Sequence, residues 1–202
     1  MSLEPVASSD LPIVLERAPR LVLGLGNPGP EYALTRHNVG FRVVDELVRR
    51  RNLALRAGPC NAWVAEGDGV LYAQPQTFMN RSGYSARCFA EHRGIAEVDV
   101  LVVFDDVHLP LGKLRMRPSG SPGGHRGMES VIENLRSNAV PRLRLGVAPE
   151  EEIDGRVLRD FVLEPFAAGE TAAVEAMIGR AADACECWLA DGIDAAMSRF
   201  NG

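Results

Sequence analysis

The sequence predicts an α/β fold, a single three-layer domain with a mixed, mostly parallel central sheet flanked by helices. Two observations lead to this class. Short apolar runs bounded by glycine and proline alternate with segments of helical spacing. The chain of 202 residues is long enough for one well-buried domain and short for two. No apolar run approaches the length that spans a bilayer, so we expect a cytoplasmic protein with no membrane partner.

The folded domain is expected over 20–202, because residues 1–19 carry little periodicity and suggest a disordered extension. A buried strand is predicted for the apolar run 20–26. The sequence Asn27-Pro28-Gly29-Pro30 ends this strand, since proline lacks a backbone N–H and restricts the residue before it. A helix over 38–51 follows, with Asn38 as its cap.

The remaining elements follow from the same two periodicities. Alternating or continuous apolar residues predict strands, and apolar residues three and four apart predict helices. Asp68-Gly69 predicts a hairpin turn, Gly94 ends a helix, and the glycine-rich loop 118–124 is suited to movement or to close approach of a ligand. The strands are expected at 61–66, 70–74, 99–106, 113–117 and 142–147, and the helices at 82–92, 125–135 and 171–189.

Four polar residues are expected to meet at one edge of the sheet, because ligands of such folds lie where the strands end. The first strand delivers Asn27 and the strand 99–106 delivers Asp105, while His37 and Asn80 lie on the neighbouring loops. A histidine beside a carboxylate makes a general base, since the carboxylate fixes the tautomer and stabilises the imidazolium. Water is the expected nucleophile, because neither a serine elbow nor a cysteine accompanies the pair.

Two other kinds of site compete with this interpretation. Residues 24–29 match the G-x-G-x-x-G fingerprint of a dinucleotide-binding oxidoreductase, but Pro30 separates them from the next helix and Asp45 falls in a helical pattern. A metal could use His108 and His125 together with the acids 105–106, although no two of these have a metal motif's spacing.

The cysteines also lack metal-ligand spacing, so we expect four buried free thiols. They are Cys60, Cys88, Cys185 and Cys187.

Charge is unevenly distributed along the chain, which carries −5 in total. From residue 150 onward twelve acids stand against four arginines, whereas residues 107–146 carry seven basic residues and two glutamates. A local basic patch suits a nucleic acid bound at one edge of the protein, although a solvated sheet edge would give the same pattern.

Five motifs, in the same order, resemble those of the bacterial peptidyl-tRNA hydrolase family over nearly the whole domain. They are GLGNPGPEYALTRHNVG at 24–40, PQTFMNRSG at 75–83, DDVHLPLG at 105–112, GGHRG at 123–127 and RLRLG at 142–146.

The resemblance implies a monomeric enzyme without metal or other cofactor that hydrolyses the ester joining a peptide to the 3′ end of peptidyl-tRNA. His37 would be the general base and Asp105 its partner, with Asn27 and Asn80 also in the catalytic site. The substrate-binding positions would be Tyr32, Met79, Gly123, Gly124 and Arg126, and the tRNA phosphate-binding positions Lys113, Arg115, Arg117 and Arg144.

One position departs from the family pattern, because Arg126 stands where the family's Gly-Gly-His-Asn-Gly motif has asparagine. Arginine donates hydrogen bonds but accepts none and relays no proton at neutral pH, although it could clamp a phosphate or polarise a carbonyl. This change motivates an alternative, a non-catalytic RNA-binding relative similar to the chloroplast splicing factors that resemble the family. The presence of His37 and Asp105 argues for the enzyme.

Overall fold

The computed structural model describes residues 19–149 and 158–201, so the predicted extension 1–19 lies outside this part except for Pro19. A seven-stranded sheet separates two layers of helices, which confirms the predicted fold class. The strands are β1 (Arg20–Gly24), β2 (Arg56–Gly58), β3 (Ala62–Gly67), β4 (Val70–Pro75), β5 (Val100–Pro110), β6 (Leu114–Arg117) and β7 (Arg142–Ala148). The helices are α1 (Val39–Arg50), α2 (Ser82–Arg93), α3 (Arg126–Leu135), α4 (Leu158–Val162), α5 (Thr171–Asp191) and α6 (Ile193–Phe200).

The sheet has a parallel centre and antiparallel edges, in the order β2-β3-β4-β1-β5-β7-β6. β1 pairs in parallel with β4 and β5, and β5 pairs in parallel with β7. The pairs β2–β3, β3–β4 and β6–β7 are antiparallel. In the described part of the chain, no helix combines the length and apolarity that a membrane crossing requires.

The central strands are buried on both faces, as their continuous apolar sequences predict. On β1, Val22 packs in the core shared with α1 and α5, whereas Leu21 and Leu23 pack in the core shared with α2 and α3. This alternation is the two-residue period of a strand, and it gives the protein two separate cores on opposite sides of one sheet.

Two glycines bring the start of α1 onto the sheet. A Cβ on Gly24 of β1 would overlap the carbonyl oxygen of Gly40, and a Cβ on Gly40 would overlap the carbonyl oxygen of Val103 on β5. The first turn of α1 can therefore lie directly on β1 and β5. Because His37 comes three residues before Gly40, this close packing fixes the histidine beside β5.

The structure differs from the sequence predictions at several element boundaries. β5 continues to Pro110, so Asp105 and Asp106 lie within the strand, just before an irregularity in its pairing with β7. α3 begins at Arg126, with His125 as its N-cap. The elements β2, α4 and α6 were not predicted, because three to eight residues show too little of a period to be recognised.

Cys60 and Cys88 form a disulfide, which corrects the prediction of free thiols at these two positions. The hairpin between β2 and β3 turns at Cys60 and lies against α2, where the Ser85 hydroxyl donates to the Cys60 carbonyl at 2.8 Å. The disulfide therefore depends on the hairpin between β2 and β3, which was not predicted. Cys185 and Cys187 of α5 are free and buried, as predicted.

Candidate active site

The structure joins two histidines to one buried carboxylate. Nδ1 of His37 lies 2.8 Å from Oδ1 of Asp105, and Nε2 of His125 lies 3.1 Å from the same oxygen. His37 comes from a single helical turn before α1, Asp105 from β5 and His125 from the N-cap of α3. Three distant parts of the chain therefore meet at Asp105, including the pair that the sequence predicted.

The hydrogen bonds assign the protons of both imidazole rings. Nδ1 of His125 accepts the backbone N–H of Met128 at 3.1 Å, so this ring carries its proton on Nε2 and donates it to Asp105. An ionised carboxylate only accepts, so His37 donates its own Nδ1 proton to the same oxygen. The Nε2 lone pair of His37 is then the atom that can take a proton from a reactant.

Burial opposes charge on both partners of the pair, and their mutual attraction outweighs it. Burial acts to raise the pKa of Asp105, but His37 and His125 hold the pKa of that carboxyl well below its usual range. Burial acts to lower the pKa of His37, but the Asp105 carboxylate raises it above its ordinary value. Asp105 is thus ionised at neutral pH, and His37 is a stronger base than a free imidazole.

The same three side chains have the composition of a metal site, with their ligand atoms within 4.8 Å of one another. A metal would need an unprotonated nitrogen from each histidine. In the arrangement described above, both facing nitrogens direct protons at Asp105, and the other nitrogen of His125 accepts from Met128. This pattern fits a hydrogen-bonded cluster better than a metal centre.

A cavity of about 380 Å³ opens beside the cluster. Gly123, Gly124 and Arg126, which the sequence predicts at the substrate, line it together with Val162 of α4. Arg144 also lines the cavity.

Arg144, predicted at a tRNA phosphate, is ion-paired in this structure. Its guanidinium lies 2.6 Å from Oδ2 of Asp106, whose Oδ1 accepts the backbone N–H of His108 at 2.9 Å. Asp106 is buried and only a quarter of the Arg144 side chain is exposed. A phosphate at this position would compete with Asp106 for the guanidinium.

Asn27 is buried and holds the Met79 loop in place. Its Oδ1 accepts the backbone N–H of Met79 at 2.8 Å, and its own backbone N–H and C=O bond to the Asn38 side chain, each at 2.9 Å. Asn38 occupies the N-cap position of α1, as predicted, but its side chain makes no capping bond and serves this link instead. Asn27 also borders a separate, larger cavity of about 710 Å³ along α1.

Asn80 and Tyr32 lie outside the cavity of His37, judged by the described residues that line it. Asn80 is exposed and borders a neighbouring cavity of about 200 Å³ with Arg126, which lines both cavities. Asn80 comes immediately before Arg81, which is the N-cap of α2. Tyr32 ends a short helical turn and is partly exposed.

Three basic residues form an exposed row along the edge strand β6, two on the strand and one immediately before it. Lys113, Arg115 and Arg117 point to solvent, and none has an ion pair within residues 19–149 and 158–201. Arg115 lies directly opposite Arg144 in the antiparallel β6–β7 register. Since directly opposite residues of two strands share a face, the basic row lies on the face of the sheet that carries Arg144 at the cavity.

The predicted mobile loop 118–124 is anchored near its middle by Arg142, whose role the sequence did not reveal. This buried guanidinium donates to the carbonyls of Gly120 at 2.7 Å and of Ser121 and Asn138 at 3.0 Å each. Burial, with the nearby Arg144, lowers the pKa of Arg142 to about 10, so it is still charged at neutral pH. An arginine inside an apolar strand is the sequence signal for such an anchor.

His125 is the other residue of the site whose position the sequence does not reveal, since the sequence suggests it only as a metal ligand. The available signal was its place in a glycine motif immediately before a helix, where a side chain can cap the helix and still face a cavity. Nothing local indicates that it reaches Asp105, twenty residues earlier in the chain.

Comparison with known proteins agrees with this geometry. A family model for peptidyl-tRNA hydrolase matches residues 21–202. A peptidyl-tRNA hydrolase of Methylacidiphilum infernorum is 45% identical over 182 residues, covering 90% of this chain and 97% of the relative. One of Symbiobacterium thermophilum is 43% identical over 188 residues, covering 90% and 98%.

Solved structures show the same likeness. The crystal structure of peptidyl-tRNA hydrolase from Acinetobacter baumannii superposes with a TM-score of 0.85 at 29% identity, covering 92% of this chain and 95% of that one. On the sequence match over nearly its whole length and on this structural agreement, the chain belongs to the peptidyl-tRNA hydrolase family.

Proposed function

We propose that this chain hydrolyses the ester bond between the peptide and the 3′-terminal ribose of peptidyl-tRNA, with His37 as general base and Asp105 as its partner. Membership of the family supports the substrate and the reaction. The observation that supports the mechanism is the 2.8 Å contact between His37 Nδ1 and Asp105 Oδ1 at the edge of a cavity.

The proposed reaction begins when Nε2 of His37 takes a proton from a water molecule. The water oxygen forms a bond to the ester carbonyl carbon, and the resulting tetrahedral intermediate breaks its bond to the ribose oxygen. The proton on His37 passes to that oxygen, which leaves a tRNA with a free hydroxyl and a peptide carboxylic acid. The acid then releases its proton to the solvent and becomes a carboxylate. Asp105 stabilises the imidazolium between these steps, and a positioned base of this kind contributes about 10² to 10⁴ in rate.

The charge that develops on the carbonyl oxygen needs a donor. Oδ1 of Asn27 is occupied by Met79, so the side-chain NH₂ is the part of Asn27 available for this role. Arg126 is the other candidate, because it lines both the cavity of His37 and the one that contains Asn80. The catalytic roles of Asn27 and Asn80 stay predictions.

The exposed row of Lys113, Arg115 and Arg117 is proposed to bind phosphates of the tRNA. Its exposure, its lack of ion pairs among the described residues and its place on the cavity face support this role. Binding through phosphates releases counterions, so affinity for tRNA should fall steeply as salt rises. A monomeric state and a cytoplasmic location also stay predictions.

The test is release of an N-blocked amino acid from its tRNA by wild type, by His37→Ala and by His92→Ala. His92 is an exposed histidine on α2 and serves as the matched control. We expect a loss of about 10² to 10⁴ in kcat for His37→Ala and no change for His92→Ala. Prior dialysis of the wild type against a chelator should leave the rate unchanged.

The possible failures are distinct. No release by the wild type would contradict the proposed function. Full activity of His37→Ala would contradict the mechanism while leaving the reaction in place. Loss of activity on chelation, restored by one metal, would mean that His37, Asp105 and His125 bind a metal ion.

A further inference from the structure

The residue that precedes His37 is a buried arginine with three acceptors on one distant segment. Arg36 is only 6% exposed. Its guanidinium donates to the carbonyls of Pro165 at 2.8 Å and Glu164 at 3.3 Å, and to the carboxylate of Glu170 at 3.0 Å. Burying a charge is unfavourable unless it is paired, so these contacts are what allow Arg36 to occupy this position. They use both terminal nitrogens, whereas the buried Nε has no hydrogen-bond partner among the described residues.

The same segment supplies two aromatic faces to the guanidinium. Arg36 lies 4.1 Å from the ring centroid of Phe161 and 5.0 Å from that of Phe166. The backbones also pair, since the Arg36 N–H donates to the Glu164 carbonyl at 3.1 Å and Thr35 bridges to Pro165. All of these contacts join the turn that carries His37 to the segment 161–170.

This segment forms part of the cavity wall, because Val162 lines the cavity together with His37. α4, which contains Val162, has five residues in the described part of the chain, and an isolated helix of that length is not stable in water. Its position must therefore come from tertiary contacts, and those described above converge on Arg36.

We infer that Arg36 is a positioning residue for the hydrolysis: its guanidinium holds the segment 161–170 against the turn of His37 and so sets the width of the substrate cavity. This inference rests on the proposed function. Lysine cannot replace the planar fork of arginine, because a single ammonium group cannot reach the same acceptors and lie flat on two rings.

The test compares Arg36→Lys with Arg20→Lys by measuring KM and kcat on an N-blocked aminoacyl-tRNA, with thermal unfolding recorded for both variants. Arg20 is the matched control, since it also donates to two carbonyls, those of Trp188 and Leu189 at 2.9 and 3.0 Å, and lies 5.1 Å from the Trp188 ring. It starts β1, at the opposite end of that strand from the Asn27 loop.

We expect Arg36→Lys to raise KM about tenfold, the equivalent of one lost charge-assisted hydrogen bond, with kcat per folded molecule nearly unchanged. Arg20→Lys should lower the Tm without changing KM. An unchanged KM in Arg36→Lys, with a lowered Tm like that of the control, would show that Arg36 is only structural and would overturn the inference.

If Arg36→Lys does not fold at the assay temperature, Phe166→Leu provides the measurement. This variant leaves the hydrogen bonds of Arg36 in place and removes one ring. A raised KM supports the inference and a wild-type KM overturns it. Absence of peptide release by the wild type would instead contradict the proposed function, so the two failures are distinguishable.

Discussion

The cluster around His37 and the basic row on β6 are built in opposite ways. In the cluster the facing polar atoms of His37, Asp105 and His125 are paired, at 2.8 and 3.1 Å, and the carboxylate is fully buried. The row of Lys113, Arg115 and Arg117 is exposed and, among the described residues, without ion pairs. A proton transfer needs one lone pair held in one position, whereas phosphate binding needs accessible positive charge.

This difference predicts which kinetic parameter each region controls. Changes in the cluster should act on kcat, because they alter an interaction formed in the transition state. Changes in the row should act on KM and on its salt dependence, because they alter binding that substrate and transition state share.

Asp105→Asn breaks the cluster most directly. We expect kcat to fall by about 10² to 10⁴, because an amide can present the wrong group to His37 and cannot stabilise the imidazolium. The Asp105 charge raises the pKa of His37 and burial lowers it, so removing the charge leaves burial to lower the pKa. The acid limb of kcat/KM, which the raised pKa of His37 sets in the wild type, should move to lower pH in the variant.

The measurement is a pH–rate profile of both proteins, with the fold of the variant checked by circular dichroism at each pH. The neutral form of His37 is the active base, so wild-type activity should rise as pH rises through the raised pKa. An acid limb that stays in place or moves to higher pH in Asp105→Asn would contradict the assignment of that limb to His37.

His125→Ala removes the second donor to Asp105. We expect a fall of about tenfold in kcat, the equivalent of one hydrogen bond to a charged group, with KM unchanged. The change also removes the cap of α3 and should cost about 1 kcal/mol of stability, which a urea titration measures. A loss of stability without any loss of kcat would limit His125 to its capping role.

Arg115→Ala and Arg117→Ala probe the basic row. Each should raise KM by about threefold to tenfold at low salt, leave kcat unchanged and reduce the salt slope of tRNA affinity by about one. Arg87→Ala is the matched control, since Arg87 is an exposed arginine of α2 that is already paired with Glu91 at 2.7 Å. Equal effects of all three changes would mean that overall charge matters and the position of the row does not.

Arg126→Asn is expected to have the smallest effect. Arg126 is the first residue of α3 and exposed, so its positive charge faces the positive end of the helix dipole. Replacing Arg126 by asparagine should stabilise the protein by about 0.3 to 1 kcal/mol. The change in kcat should be less than about threefold, because the asparagine NH₂ also donates hydrogen bonds. Peptide release and thermal unfolding of the variant measure both. A large gain in kcat would show that Arg126 suppresses catalysis in this chain.

The central fold and the contact between His37 and Asp105 were predictable because their signals are local. The apolar runs of β1 and β5 and the strand-end rule bring His37 and Asp105 to one edge of the sheet, whatever the remaining contacts are. The sequence predicts that β5 ends at 106, whereas the strand continues to Pro110. Asp105 still lies at the site, because the pairing of β5 with β7 becomes irregular only after Asp106.

The other contacts of the site and the disulfide depend on tertiary structure, which no local sequence pattern predicts. The bond from His125 to Asp105, the anchor that Arg142 provides for the loop 118–124 and the disulfide Cys60–Cys88 all join segments that are far apart or separated by unpredicted elements. The ion pair of Arg144 with Asp106 was also not predictable from a local pattern. The sequence position of Arg144 suggested a phosphate contact.

The most direct test of this division is a single-turnover measurement on His37→Ala, on the double variant Arg115→Ala/Arg117→Ala and on the combined triple variant. Rates are measured at saturating and at limiting enzyme concentration. We predict that His37→Ala loses rate equally at both, that the double variant loses rate only at limiting concentration, and that the triple variant shows the product of the two effects. A double variant that loses rate at saturation as severely as His37→Ala would contradict the assignment of the basic row to binding and of His37 to the chemical step.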